Sequence, residues 1–232
     1  MGLVWGCVAW VSRRSGFRPR QVSGEVRNPQ RHGRERRHHV GVARLPPLLA
    51  AGPIELRRWR PGDIDNLLVA VASSLTELSV WMPWAQELPS REAELNVLLA
   101  FDESFEAGSD FGDGMDEPPS GSVVGGCGLH LRHGPNIAEV GYWVRTDRHR
   151  RGYATAAARA LTDAAFSYLP GVDRVDIAMD VANVASARVA RKLGFSLSAP
   201  ESRAINAPGH TGRGLRWVLQ RGEWRSGGAR GG

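Results

Sequence analysis

Lysine is nearly missing from these 232 residues: Lys192 is the only one, so the basic charge is carried almost entirely by arginine. Cysteine is as scarce, with only Cys7 and Cys127, which rules out a disulfide framework and suits a reducing compartment. No apolar run approaches the roughly 18 to 20 residues that a membrane-spanning helix needs. The longest candidate, Leu3 to Val11, is interrupted by glycine and cysteine. That stretch also lacks a positively charged leader, since Arg13 and Arg14 follow it, so a cytoplasmic protein without a membrane span is expected.

The foldable part lacks an excess of charge of either sign. Of the net charge of +6, residues 1–50 hold ten arginines against Glu25 and Glu35, while the rest of the chain carries 20 basic and 22 acidic groups. This division removes most of the case for a nucleic-acid-binding domain. Residues 1–50 mix Arg, His, Gly and Pro with no sustained period, as a disordered extension does. The extension is either a basic arm for nucleic acid or acidic membrane, or an upstream addition without such a role. Length and a hydrophobic fraction of 42% suit one domain with a true core. It is expected at 53–224, followed by a flexible tail at 225–232.

From Pro53 onward the text is patterned. Ile54 to Trp59 alternates apolar and charged residues like a half-buried strand, and Pro61-Gly62-Asp63 breaks it. Asp63 stands where it can cap a helix through Leu67, Leu68 and Val71, and Ala93, Val97, Leu98 and Phe101 mark a second helix. Between them, Trp81-Met82-Pro83-Trp84 reads either as a wall of a substrate cleft or as a packed loop. The acidic, glycine-rich stretch Asp102 to Glu117 reads as a solvated loop, because its aspartates lack the alternate-residue spacing of a calcium site. Ser122 to His130 and Ile137 to Val144 read as a hairpin turning at His133 to Asn136. Cys127, His130 and His133 make a poor metal trio, since 130 faces away from the other two on a strand and no fourth ligand is near.

The second hairpin strand runs into Arg145-Thr146-Asp147-Arg148-His149-Arg150-Arg151-Gly152-Tyr153-Ala154-Thr155 and then into an alanine-rich helical run. A strand, a basic turn and a helix start make a phosphate cradle, because the first N–H groups of a helix are unpaired and sit at the positive end of its dipole. A solvated basic turn is the competing reading of these residues alone. A third strand, Arg174 to Asp180, leads to a run from Val181 to Phe195 that reads N-x-x-S-x-x-V-x-x-K-L-G-F from Asn183 onward. Together with R-R-G-Y-A-T at Arg150 to Thr155 and E-V-G-Y-W-V at Glu139 to Val144, this order resembles the GNAT superfamily of N-acetyltransferases. The similarity is to the branch that includes the ribosomal-protein N-terminal acetyltransferases, over roughly Pro53 to Trp224.

The resemblance implies an α/β domain with a mostly antiparallel, twisted sheet flanked by helices, and acetyl-CoA, without a metal, between two splayed central strands. It implies that Trp143, Val144 and Arg145 offer backbone groups to the pantetheine arm, as an added strand would use them. His149, Arg150, Arg151, Gly152, Tyr153, Ala154 and Thr155 would cradle the diphosphate, with His149 where the family usually has Arg or Gln. Asn183 matches the residue that hydrogen-bonds pantetheine, and Gly194 fits a helix stop. Glu139 is the candidate base, or else a structural carboxylate. An N–H near Val144 is placed to stabilise the oxyanion. Ala190 occupies the place of the family's usual tyrosine acid, which leaves Ser186 as the candidate proton donor, or else as a helix cap. The expected activity is acetyl transfer from acetyl-CoA to a primary amine, by a monomer or homodimer; a non-catalytic acetyl-CoA-binding module is the alternative. The acceptor site is expected from Trp81 to Trp84 and a loop at Glu201 to Gly214, before a closing strand at Leu215 to Leu219.

Overall fold

The computed structural model describes residues 44–134 and 136–224; the basic extension up to residue 43 and the tail from 225 lie outside them. In chain order the elements are β1 (Leu48–Ala51), β2 (Ile54–Arg58), α1 (Ile64–Ala72), α2 (Leu75–Trp81) and α3 (Arg91–Ala107). Then come β3 (Asp110–Glu117), β4 (Ser122–His130), β5 (Ile137–Val144), α4 (Tyr153–Tyr168), β6 (Arg174–Asp180) and α5 (Val184–Lys192). The chain closes with β7 (Ser196–Leu197), β8 (Glu201–Ser202) and β9 (Arg213–Gln220). The strands form one sheet in the order β1-β2-β3-β4-β5-β6-β9-β7, with β8 also on β9.

Every pairing is antiparallel except β5 with β6. That parallel pairing spans only Ile137 with Arg174, Ala138 with Val175 and Glu139 with Asp176. Beyond it β5 stays with β4 as far as Val144, and β6 stays with β9 as far as Asp180. The two central strands therefore splay, each held by its outer neighbour. Helix α4 makes the β5-to-β6 crossover and buries Ala157, Ala158, Leu161, Ala164 and Ala165 in the larger core cluster. A second cluster gathers Trp59, Leu67, Val71, Leu98, Phe101 and Trp143 around α1 and α3.

The α/β architecture is the expected one, with three differences of detail. Strand β1 pairs with β2, so ordered structure starts before residue 53. Asp63 does occupy the N-cap of α1, but its carboxylate goes to Arg57 and the Arg60 N–H instead of the helix amides. The acidic stretch Asp102 to Glu117 is not a solvated loop: its first half ends α3 and Asp110–Glu117 is a buried strand in the sheet.

Tertiary packing overrides the poor strand propensity of Gly and Asp in β3. A Cβ on Gly112 would lie 2.5 Å from Cδ1 of Phe101, and one on Gly114 would lie 3.0 Å from the Trp59 ring. The glycines let α3 and Trp59 close on the strand. Asp116 is paired with Arg57 at 2.8 Å, and burial pushes the Asp113 carboxyl up to about 7, because the charged form is disfavoured inside the sheet.

Candidate functional site

The gap between β5 and β6 leaves backbone groups without strand partners. The Arg145 N–H donates to the Val124 carbonyl at 2.8 Å, and antiparallel alternation then turns the N–H and C=O of Val144 to the opposite side, into the gap. His149 folds back so that its Nε2 lies 3.0 Å from the Val144 carbonyl. The Val144 N–H remains free of strand pairing.

The basic turn continues directly from this edge. Arg150 has φ 62° and Gly152 has φ 83°, two left-handed residues that steer the chain into α4, for which glycine carries little steric cost. No side chain caps α4, and Ala156 N–H to Gly152 C=O, at 2.9 Å, starts the helical ladder. The N–H groups of Tyr153, Ala154 and Thr155 thus have no helical acceptor and carry the positive end of the dipole. The arginines of the turn are not equivalent. Arg148 closes on Glu117 and Asp147, Arg151 lies 3.6 Å from Glu117, and the Tyr153 hydroxyl also donates to Glu117. Arg150 makes no ion pair among the described residues.

Across the gap, Asn183 is the N-cap of α5, its Oδ1 accepting from the Ser186 N–H at 3.1 Å. The helix-capping role considered for Ser186 therefore falls to Asn183. The Ser186 Oγ is instead 2.9 Å from the Tyr142 hydroxyl on β5. Burial pushes the Tyr142 phenol up to about 12, with the bond to Ser186 acting the other way. Ala190 is fully buried in the main core, and Gly194, at φ 84°, ends α5 as its motif position suggests.

These elements line one cleft of about 690 Å³. It is bordered by Trp143, Val144, His149, Arg150, Gly152, Tyr153, Ala154, Thr155, Asn183 and Ser186, all expected from the sequence. Arg145, Arg151 and Glu139 do not line it. Arg145 points to Asp147 and the Val123 carbonyl. Glu139 sits at the closed end of the splay, 2.9 Å from His133 Nε2 and 3.0 Å from Arg216 Nη1. Burial pushes its carboxyl up, but the His133 bond and the charges of His133 and Arg216 outweigh burial and hold it below the usual carboxylate range. Such a group is a weak base. His130 pairs with Asp110 at 2.6 Å and Cys127 is buried, so the sequence trio is divided. Among the described residues no group of His, Cys, Asp or Glu is arranged to hold a metal ion, and no helix is long and apolar enough to cross a membrane.

The other end of the cleft is built by α2 and the segment between β8 and β9. Trp81 and Met82 line it, while Trp84 packs edge-on against Trp143 with ring centroids 6.3 Å apart; the aromatic segment serves as both wall and packing. Gly209 N–H donates to the Val80 carbonyl at 2.8 Å and His210 Nε2 donates to the Trp81 carbonyl at 3.1 Å, fastening the segment to α2. Sequence reasoning gave no role to Tyr142, Glu117 or Arg203. Tyr142 stood inside a recognised motif, yet only the approach of α5 reveals its partner.

The profile of a family described as an acetyltransferase (GNAT) domain matches residues 54–196. A protein named putative ribosomal N-acetyltransferase YdaF, from Bacillus subtilis (strain 168), is 28% identical over 150 residues, covering 61% of this chain and 77% of that protein. Among solved structures, a RimL ribosomal L7/L12 α-N-protein acetyltransferase in complex with coenzyme A superposes with a TM-score of 0.68 at 19% identity, over 75% of this chain and 97% of that one. RimJ from Mycobacterium smegmatis, in complex with a CoA disulfide, gives a TM-score of 0.65 at 22% identity, over 76% of this chain and 86% of that one. These two likenesses are likenesses of fold.

Proposed function

Since the chain belongs to the GNAT family of acetyltransferases and is acetyl-CoA-dependent, we propose that its acceptor is a primary amine, the α-amino terminus of a protein, attacked directly in a ternary complex. The observation that carries this reading is the continuity of one cleft from the unpaired Val144 edge, past the amide-rich start of α4, to the Tyr142–Ser186 pair. The relatives described above as ribosomal N-acetyltransferases favour a protein terminus over a small amine. With such an acceptor the enzyme works in the cytoplasm.

The residues present fit acetyl-CoA. The free amides of Tyr153, Ala154 and Thr155 and the Arg150 guanidinium suit a diphosphate. The Val144 N–H suits a pantetheine carbonyl or the oxyanion that forms on attack, and the Asn183 amide nitrogen, which has no acceptor among the described residues, can donate into the same gap. An α-amino group, with a pKa near 7.7 to 8.0, keeps an appreciable neutral fraction at cellular pH. The reaction then needs no strong base, and Glu139 is assigned to bracing the closed end of the splayed strands.

Departure of the thiolate is where Ser186 acts. With Tyr142 donating to its oxygen, the Ser186 hydroxyl proton is free to point at the leaving sulfur. A thiol pKa near 8.5 lies well below the phenol value of about 12. Full transfer from tyrosine to sulfur is therefore uphill, and the pair stabilises the thiolate by hydrogen bonding. The test is CoA release with peptides of different N-terminal residues, polyamines and aminoglycosides. Turnover of free-amine peptides, lost on N-terminal blocking, supports the proposal. Tight acetyl-CoA binding without turnover on any amine favours the non-catalytic module, and turnover confined to polyamines or aminoglycosides overturns the protein terminus.

A further inference from the structure

The half-buried Arg203 lines the cleft, yet its guanidinium makes no hydrogen bond or ion pair among the described residues. Arg58, Arg148, Arg174 and Arg216, at comparable or greater burial, each close on a carboxylate. The three carboxylates nearest in charge to Arg203 are Glu139, Asp180 and Glu201. The first and last are taken up by Arg216. Asp180 accepts from the N–H groups of Ala182 and Thr211 and from the Thr211 hydroxyl. A guanidinium carries five donors and loses hydration on burial, so leaving it unpaired is costly. The main chain of this residue is anchored: Arg203 N–H donates to the Gly212 carbonyl at 3.0 Å, beside the β8–β9 pairing.

We propose that Arg203 reads an anionic group on the acceptor, so that the preferred substrate is an amine bearing a carboxylate within its first one or two residues. This rests on the amine-acetyltransferase reading and specifies its acceptor. A cleft of about 690 Å³ that also takes the acyl end of the cosubstrate leaves room for only a short stretch of acceptor beside Arg203. A planar fork suits a carboxylate bidentately. Glu77, on the same cleft and exposed, complements the amino end of such an acceptor. The carboxylate can come from an acidic side chain of a peptide terminus or from a free amino acid.

The experiment compares kcat/KM of the full chain for peptides beginning with Asp or Glu against their Asn or Gln isosteres, at positions 1 and 2, with free aspartate and glutamate as separate arms. Wild type is expected to favour the acids at least about tenfold, as for one charge-assisted hydrogen-bonded contact. Arg203→Met brings the ratio to about one, and Arg203→Glu inverts it. The same ratio is read by calorimetric binding of the peptides and free acids to enzyme saturated with CoA, which keeps a poorly active variant informative, and melting temperatures report whether each variant folds. Peptide turnover or binding with a wild-type ratio near one, or a ratio that Arg203→Met leaves intact, overturns the inference and spares the N-terminal reading. Arg203-dependent acetylation of free acidic amino acids without any peptide turnover supports the inference and overturns the protein terminus. No preference for the acid in either turnover or binding overturns the inference.

Discussion

The hydroxyls of Tyr142 and Ser186 meet at 2.9 Å across the mouth of the β5–β6 gap. A strand and a helix some forty residues apart in sequence are thereby joined.

Removing either hydroxyl should slow turnover while leaving the cosubstrate site intact. Ser186→Ala is expected to lower kcat by about 10- to 100-fold, the worth of one hydrogen bond to a charged group, with the KM for acetyl-CoA changed less than about threefold. Tyr142→Phe should give a smaller loss, and the double variant should lose less than the product of the two. Steady-state kinetics on the four proteins check this, and full additivity would mean that the two hydroxyls act independently.

The two neighbouring arginines of the basic turn should behave differently. Arg150 borders the cleft, while Arg151 faces Glu117. Arg150→Ala is expected to weaken CoA binding about tenfold, the worth of one hydrogen bond to a charged group, and to flatten its salt dependence. Arg151→Ala should change it less than about twofold. Titration calorimetry at two ionic strengths distinguishes the pair.

The closed end of the splay should respond to pH on both sides. The Glu139 carboxyl is held below its ordinary value of 4.5, so its contribution to stability is present above that value and is lost as pH falls through the lowered one. His133 is raised above 6.5, chiefly by its bond to Glu139, so its contribution is present below 6.5 and is lost as pH rises through the raised value. The pair contributes most between about 4.5 and 6.5. Melting temperatures of wild type should decline above that window through this contribution, and His133→Asn should remove the decline. An unchanged profile in the variant would show that the pair does not couple to folding.

Strand β3 offers a packing test. Gly112→Val must displace the Phe101 ring, which already lies within contact of where a Cβ would stand. A loss of about 1 to 3 kcal/mol, typical of overpacking, is expected in chemical denaturation, whereas Gly62→Ala, where a Cβ meets nothing within 4 Å, should cost less than about 1 kcal/mol.

Local patterning was legible where burial and hydrogen bonding obey a short period. The hairpin Ser122–His130 with Ile137–Val144, the strand Arg174–Asp180, and the helix that starts after Gly152 all stand where the sequence places them. The acidic segment reads as a loop yet forms a strand because its glycines are fitted to neighbours far away in sequence, Trp59 and Phe101 among them. Nothing within the segment itself announces that requirement. The role of Glu139 was likewise open until Arg216, 77 residues later, arrived beside it.

By itself the sequence determined the succession of strands and helices from Ser122 to Lys192 and the turn that opens α4, because strand alternation and glycine conformations are set within a few residues, while the α/β class followed from the resemblance of its motifs. Tertiary structure alone decided which charges are spent and which remain free. Arg148, Arg151 and Glu139 are neutralised by partners from other elements, while Arg150 and Arg203 have none among the described residues. Side-chain electrostatics act over distances of several ångströms in space, irrespective of how much chain lies between the groups.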